Sequence, residues 1–195
     1  MVKTENNYLY ELQKYPDIMS RLSAWWHLLQ GKTEEYEDKK TPSKSGIRAQ
    51  LSRCSSPAEV VMYSEFYTFK EIFENTKYPT EAIAIIAGLF SIIRKDSGKQ
   101  PCFIEQLATP KEGSDKPVFS EMRFRKLLDS KNWDEFYLNL RRAIQILGGN
   151  VNPISVADTI LLWGWEFSKI EKGEYVKPGN TAKFKLAKMY YENIK

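Results

Sequence analysis

The chain has 195 residues, 42% of them hydrophobic and 13% aromatic, and a net charge of +4. That apolar content can bury a core, so wholesale disorder is excluded, and the length suits one domain or two small lobes sharing a core. So mild a surplus of cations does not by itself identify a nucleic-acid binder; where the charges sit decides that.

Almost every periodic segment is helical. The polar opening MVKTENNYLYELQ has no apolar run of the kind a secretory leader needs. In PDIMSRLSAWWHLLQG, Ile18, Leu22, Trp25 and Leu29 repeat at helical spacing, with Pro16 in the first turn and Gly31 at the end. KTEEYEDKKTPSKSG is polar and without period, which predicts a long exposed loop. A short helix, IRAQLSRC, follows. SSPAEVVMYSEFYTFKEIF reads as a helix opened by a capping box, with Ser56 before Pro57 and Glu59 three residues on. TEAIAIIAGLFSIIRKD carries a wide apolar stripe through Ile83, Ile86, Ala87, Phe90 and Ile93, the pattern of the most buried helix. Its apolar stretch is too short to span a bilayer.

Residues 96–119 are rich in Gly, Pro, Ser and Lys and read as a linker, with room for one short helical turn. The expected organisation is therefore an N-terminal helical lobe over 1–95, the linker 96–119 and a four-helix lobe over 120–195. The first helix of that lobe is SEMRFRKLLDS. The second is NWDEFYLNLRRAIQILGG, closed by Gly148 and Gly149. The third starts near Ser155, with Asp158 three residues later. The fourth, TAKFKLAKMYYENI, is expected to bury Phe184, Ala187, Tyr191 and Ile194. No alternating strand pattern of useful length and no fixed-period repeat is present, so the fold class is all-α, a two-lobed helical bundle.

Catalytic chemistry finds little to stand on. His27 is the only histidine, so sites built on several histidines are excluded. Cys54 follows Arg53, which can lower a thiol pKa, but a lone cysteine beside a loop more often packs than reacts. Cys54 and Cys102 have no short-spaced partner, so neither a zinc site nor a disulfide framework is implied, and reduced thiols in a cytoplasmic protein are expected. No Gly-rich phosphate loop appears, and the carboxylate pairs Glu34–Glu35 and Glu37–Asp38 read as solvated. The expectation is a protein that is not an enzyme and needs neither metal nor cofactor.

Three basic groups stand out instead. Lys44, Arg48 and Arg53 run without an intervening acid. Arg123, Arg125 and Lys126 lie on one helix, and Arg141 and Arg142 on the next. Lys177, Lys183, Lys185, Lys188 and Lys195 face only Glu192. Each group reads either as an ordinary solvated face or as a surface for an anion. Arginine enrichment favours the second for the first two groups, because the guanidinium forks onto phosphate through two bonds. Phosphate contacts give affinity without sequence information.

Four segments in order, GIRAQLSRCSSPAEV, RFRKLLDSKNWDEFYLNLRRAIQIL, ISVADTILLWGWE and AKFKLAKMYYENI, resemble the small subunit of the type I-E CRISPR surveillance complex Cascade, the CasB family. The resemblance covers roughly residues 20–195. It implies a non-catalytic subunit of a ribonucleoprotein. The implied partners are the other Cascade subunits, a second copy of the chain, CRISPR RNA and target DNA with its displaced single strand; no membrane and no small-molecule substrate is implied. In that role basic residues hold backbone without reading it and tip the nearly balanced R-loop exchange. By position the family's charged surface maps onto Arg48, Arg53, Arg123, Arg125, Lys126, Arg141 and Arg142, and onto Lys183, Lys185 and Lys188. Arg48, Arg53, Arg123 and Arg142 come first. For Arg125 and Arg141 a second placement stays open, partly inside and paired with acids between helices. Two other readings stand beside this one. A helix-turn-helix regulator needs base-reading side chains at a helix start, and a helical protein–protein adaptor needs no nucleic acid.

Overall fold

The computed structural model describes residues 9–31, 35–36, 39–40, 45–99 and 101–194. Lys44 and Lys195, Glu34 and the Glu37–Asp38 pair lie outside them. Ten α-helices run through the described residues: α1 Pro16–Leu29, α2 Ser45–Leu51, α3 Pro57–Val60, α4 Ser64–Lys70, α5 Thr80–Phe90, α6 Phe103–Ala108, α7 Glu121–Leu128, α8 Trp133–Ile146, α9 Pro153–Glu171 and α10 Ala182–Asn193. Three short 3-10 turns sit between them. The architecture is all-α. A hairpin of two-residue strands, β1 Glu35–Tyr36 antiparallel to β2 Lys39–Lys40, lies inside the stretch expected to be plain loop. Among the described residues no helix is long and apolar enough to cross a membrane.

The fold is organised around α5. Every residue from Ala82 to Phe90 is buried, so the helix is apolar all round, as a central helix must be. It packs against α3, α4, α8 and α9. Close approach to α8 depends on Gly88: a Cβ there would stand 2.9 Å from the Tyr137 hydroxyl and 3.0 Å from a Val60 methyl. α1 lies on α9 and α2, while α10 lies on α6 and α9. Helices before and after residues 96–119 thus contribute to one core. Within that stretch, Phe103, Ile104, Leu107 and Ala108 of α6 are buried in it.

Local chemistry sets the helix ends. Pro16 opens α1, and Gly31 follows it with φ +78°. The Asn132 side chain accepts the Glu135 N–H at 2.8 Å and starts α8, whose end is set by Gly148 and Gly149 at φ +66° and +75°. Aromatic rings fill the space between α8 and α9. Phe136 stacks on Trp163 at 3.9 Å between centroids, and Trp163 on Phe167 at 4.7 Å.

Four expectations are corrected here. The segment after Ser56 is not one helix: α3 ends at Val60, and Tyr63 is extended before α4 begins. Ser56 does cap, accepting the Glu59 N–H at 3.3 Å. The Glu59 carboxylate, however, accepts from the N–H and hydroxyl of Ser55, one residue before the cap. α9 starts at Pro153 and not near Ser155, because Asn152 caps it by accepting the Ser155 N–H at 2.7 Å. On α10 the buried face is Ala182, Leu186 and Tyr190, whereas Phe184 and Tyr191 are 55% and 40% exposed. Tyr190 wins the inner position because its ring stacks on Phe124 at 3.8 Å and its hydroxyl donates to the Phe119 carbonyl at 2.6 Å.

Candidate functional site

The basic residues divide by what their side chains touch. Arg48, on α2, donates through Nε to the Ser91 carbonyl at 2.9 Å, at the end of α5. Arg141 is half-buried; its Nη1 donates to the Cys54 carbonyl at 3.0 Å and its Nη2 to the Ser52 carbonyl at 2.6 Å. Tyr137, one turn earlier on α8, donates its hydroxyl to the same Cys54 carbonyl at 3.0 Å, and burial pushes that phenol up to about 12. Arg141 is therefore inside, as one placement had it, but carbonyl dipoles hold it, not acids. Among the described residues neither arginine has an ion-pair partner. A half-buried cation held only by dipoles leaves its field open toward any anion nearby.

Both arginines line a cleft of about 680 Å³, together with Gln30, Ser52, Arg94, Gln145 and Gly149. Arg94 is exposed and stands where the chain leaves α5. The N–H groups of Arg94 and Lys95 donate to the Gly149 carbonyl at 2.8 and 3.2 Å, which ties the α5 exit to the turn after α8. Gly149 makes the approach possible: φ is +75°, and a Cβ there would lie 2.9 Å from the Ile92 carbonyl oxygen.

Arg123, Lys126 and Arg142 line a second cleft, of about 480 Å³, with Phe119, Asn139, Gln145 and Ile146. Helical spacing explains the grouping. Arg123 and Lys126 are three apart on α7, and Arg142 and Ile146 are four apart on α8. Gln145 borders both clefts, three residues after Arg142 and four after Arg141. One face of α8 thus joins the two basic clefts into a single surface.

The remaining basic residues lie elsewhere. Arg53 is exposed and borders neither cleft. Arg125 stays outside and bonds the Tyr191 hydroxyl at 3.1 Å and Glu121 at 3.4 Å. Lys183 pairs with Asp129, holding that carboxyl below its ordinary value. Lys188 pairs with Glu192 at 3.8 Å, and Lys185 sits over the Tyr10 ring at 5.1 Å from its centre. Lys183 and Lys131 line a further cleft of about 210 Å³, but the carboxylates of Asp129 and Glu166 line it with them, and Lys185 and Lys188 border neither basic cleft.

Arg94 was missed by the sequence reading. Its signal is the IIRKD pair of cations leaving the most buried helix, which forms no longer basic run along the chain. The clefts collect residues from α2, the α5 exit, α7 and α8.

Neither thiol has the setting of a nucleophile. Cys54 and Cys102 are buried; burial raises the first and pushes the second up to about 12, which disfavours the reactive thiolate. His27 is half-buried beside the Trp26 ring. Among the described residues no group of His, Cys, Asp and Glu is placed to hold a metal ion. Asp134 and Glu135 occupy the first turn of α8, where a recognition helix would need donors for base edges and phosphates.

A family model described as CRISPR-associated protein Cse2 matches residues 47–191. That span contains all of the cleft residues except those contributed by α1 and Gln30. No curated protein and no solved structure matches the chain.

Proposed function

Because the chain belongs to the CRISPR-associated Cse2 family, the small subunit of the type I-E Cascade complex, we propose that its two joined clefts hold a nucleic-acid backbone without reading sequence. The strand would be the guide RNA and target region or the displaced non-target DNA, and the effect would be to stabilise the R-loop in antiviral defence. A modest gain is sufficient, because forming the R-loop exchanges one duplex for another of nearly equal stability. The role is binding, not catalysis. The partners would be the other Cascade subunits, a second copy of the chain, CRISPR RNA and target DNA.

One observation carries the reading. Arg48, Arg94, Arg141, Arg123, Lys126 and Arg142 converge on two clefts sharing Gln145, and none has an acid partner among the described residues. Such a stripe attracts phosphate wherever it lies along a strand. The test is binding of the purified protein to single-stranded DNA, duplex DNA and RNA of scrambled sequences at low and moderate salt. Similar affinity across scrambled sequences, falling steeply with salt, is expected. Preference for one sequence, or binding insensitive to salt, would overturn the proposal.

A further inference from the structure

The two clefts differ in a way that backbone holding alone does not explain. The first is floored by polar groups: carbonyls, the Gln30 amide and the Ser52 and Ser91 segments. The second has an apolar floor, to which the buried Phe119 and Ile146, 38% exposed at the end of α8, contribute. Its cations stand at the rim, on exposed positions of α7 and α8. Gln145 lies between the clefts, and its amide has no hydrogen-bond partner among the described residues.

A phosphate is poorly served by an apolar floor, which offers it no donor and takes away water. A purely apolar group gains nothing from three cations. The chemistry that uses both is an apolar, flat group joined to an anion, which in a strand is a base and its flanking phosphates. About 480 Å³ accommodates that unit. Guanidinium planes at the rim can lie over the ring, and the free Gln145 amide can both donate to and accept from a base edge. An amide that swings either way favours no single base.

We propose that the second cleft takes one unstacked base of the bound strand, with the neighbouring phosphates on Arg123, Lys126 and Arg142. The proposal rests on the backbone-holding reading and adds to it a contact that phosphate alone does not supply. It gives the subunit a preference for single strands over duplex, because a paired base cannot enter.

The test compares a single-stranded DNA oligonucleotide with one of equal length built of abasic residues. Base-to-protein stacking contributes enough to expect roughly 10-fold weaker binding of the abasic strand, at equal salt dependence. Ile146→Ser removes the exposed part of the apolar floor without altering charge. It should reduce the difference between the two strands by weakening the base-bearing one, and a far-UV circular dichroism melt matching that of the unsubstituted protein shows that the variant is folded. Equal affinity of the two strands for the unsubstituted protein would overturn the proposal. A difference that persists intact in Ile146→Ser would also overturn it, since the base is then held elsewhere. Failure of both strands to bind at low salt would overturn the backbone reading and this proposal with it.

Discussion

Replacing Arg94, Arg123, Lys126 and Arg142 together with Ala should cut affinity for single-stranded nucleic acid by on the order of 100-fold at low salt. These four are exposed, border the clefts and hold no carbonyl or acid in place among the described residues. The fold should therefore survive their removal. Arg48 and Arg141 are poorer choices, because each bonds backbone carbonyls and its loss would disturb α2 and the end of α5 as well. The salt dependence sharpens the expectation. Each phosphate contact on a single strand adds about 0.7 to the slope of log K against log salt, so four contacts add about 3. Between 50 and 200 mM salt the advantage of the unsubstituted protein should shrink by about 50-fold. Replacing Arg125, Lys183 and Lys188 instead should change little, since these are engaged with Tyr191, Asp129 and Glu192. Fluorescence anisotropy at four salt concentrations measures both effects. A slope unchanged in the quadruple variant would remove the clefts from the interface.

Asp158→Ala should be strongly destabilising. Asp158 is 3% exposed in the middle of α9. Its carboxylate accepts the backbone N–H groups of Tyr10, Glu11 and Leu12 at 2.8, 2.8 and 2.7 Å, across 146 residues or more of chain. Alanine would leave three largely buried donors without acceptors, at about 3–5 kcal/mol in all. For a chain of this size that corresponds to a fall in Tm of roughly 10 °C or more. Glu11 is drawn into the same knot, accepting from the Tyr78 hydroxyl at 3.0 Å and pairing with Lys14 at 3.2 Å.

The same carboxyl gives a pH signature. Burial pushes Asp158 up to about 6, against the opposing pull of its three N–H donors. The folded protein therefore binds this proton more tightly than the unfolded chain, whose Asp titrates near 4. The contribution of Asp158 is fully present below pH 4 and declines as pH rises through 6, by about 3 kcal/mol. Measured by denaturant unfolding between pH 4 and 7.5, the difference between the unsubstituted protein and Asp158→Asn should shrink with pH and then level off. A difference that is flat or grows would place the carboxyl's folded pKa at or below its unfolded one.

How much of this was legible in the residues depended on how local the determining contact was. The α5 stripe is a run of apolar side chains with no acid or base after Glu81, so burial could be read directly. Pro16, Ser56 and the Gly148–Gly149 pair mark helix ends through backbone chemistry that acts over one turn. The inner face of α10 was not legible. Tyr190 and Tyr191 are adjacent, and only the stack on Phe124 decides which turns inward. The role of Asp158 was not legible either, because its partners, around Leu12, lie at the other end of the chain. Arg123, Lys126 and Arg142 could be found as a local cluster. Their union with Arg48, Arg94 and Arg141 depends on α8 standing between α2 and α7.

Nucleic acid bound as proposed lies along the face of α8 that joins the two clefts. Photocrosslinking of a bromouracil-substituted single strand to the protein, followed by peptide mapping, tests it most directly. Crosslinks are predicted in the peptides that carry Phe119 to Lys126 and Arg141 to Gly149. Crosslinks confined to the neighbourhood of Arg53, or to the lysines of α10, would place the strand elsewhere and overturn the proposal.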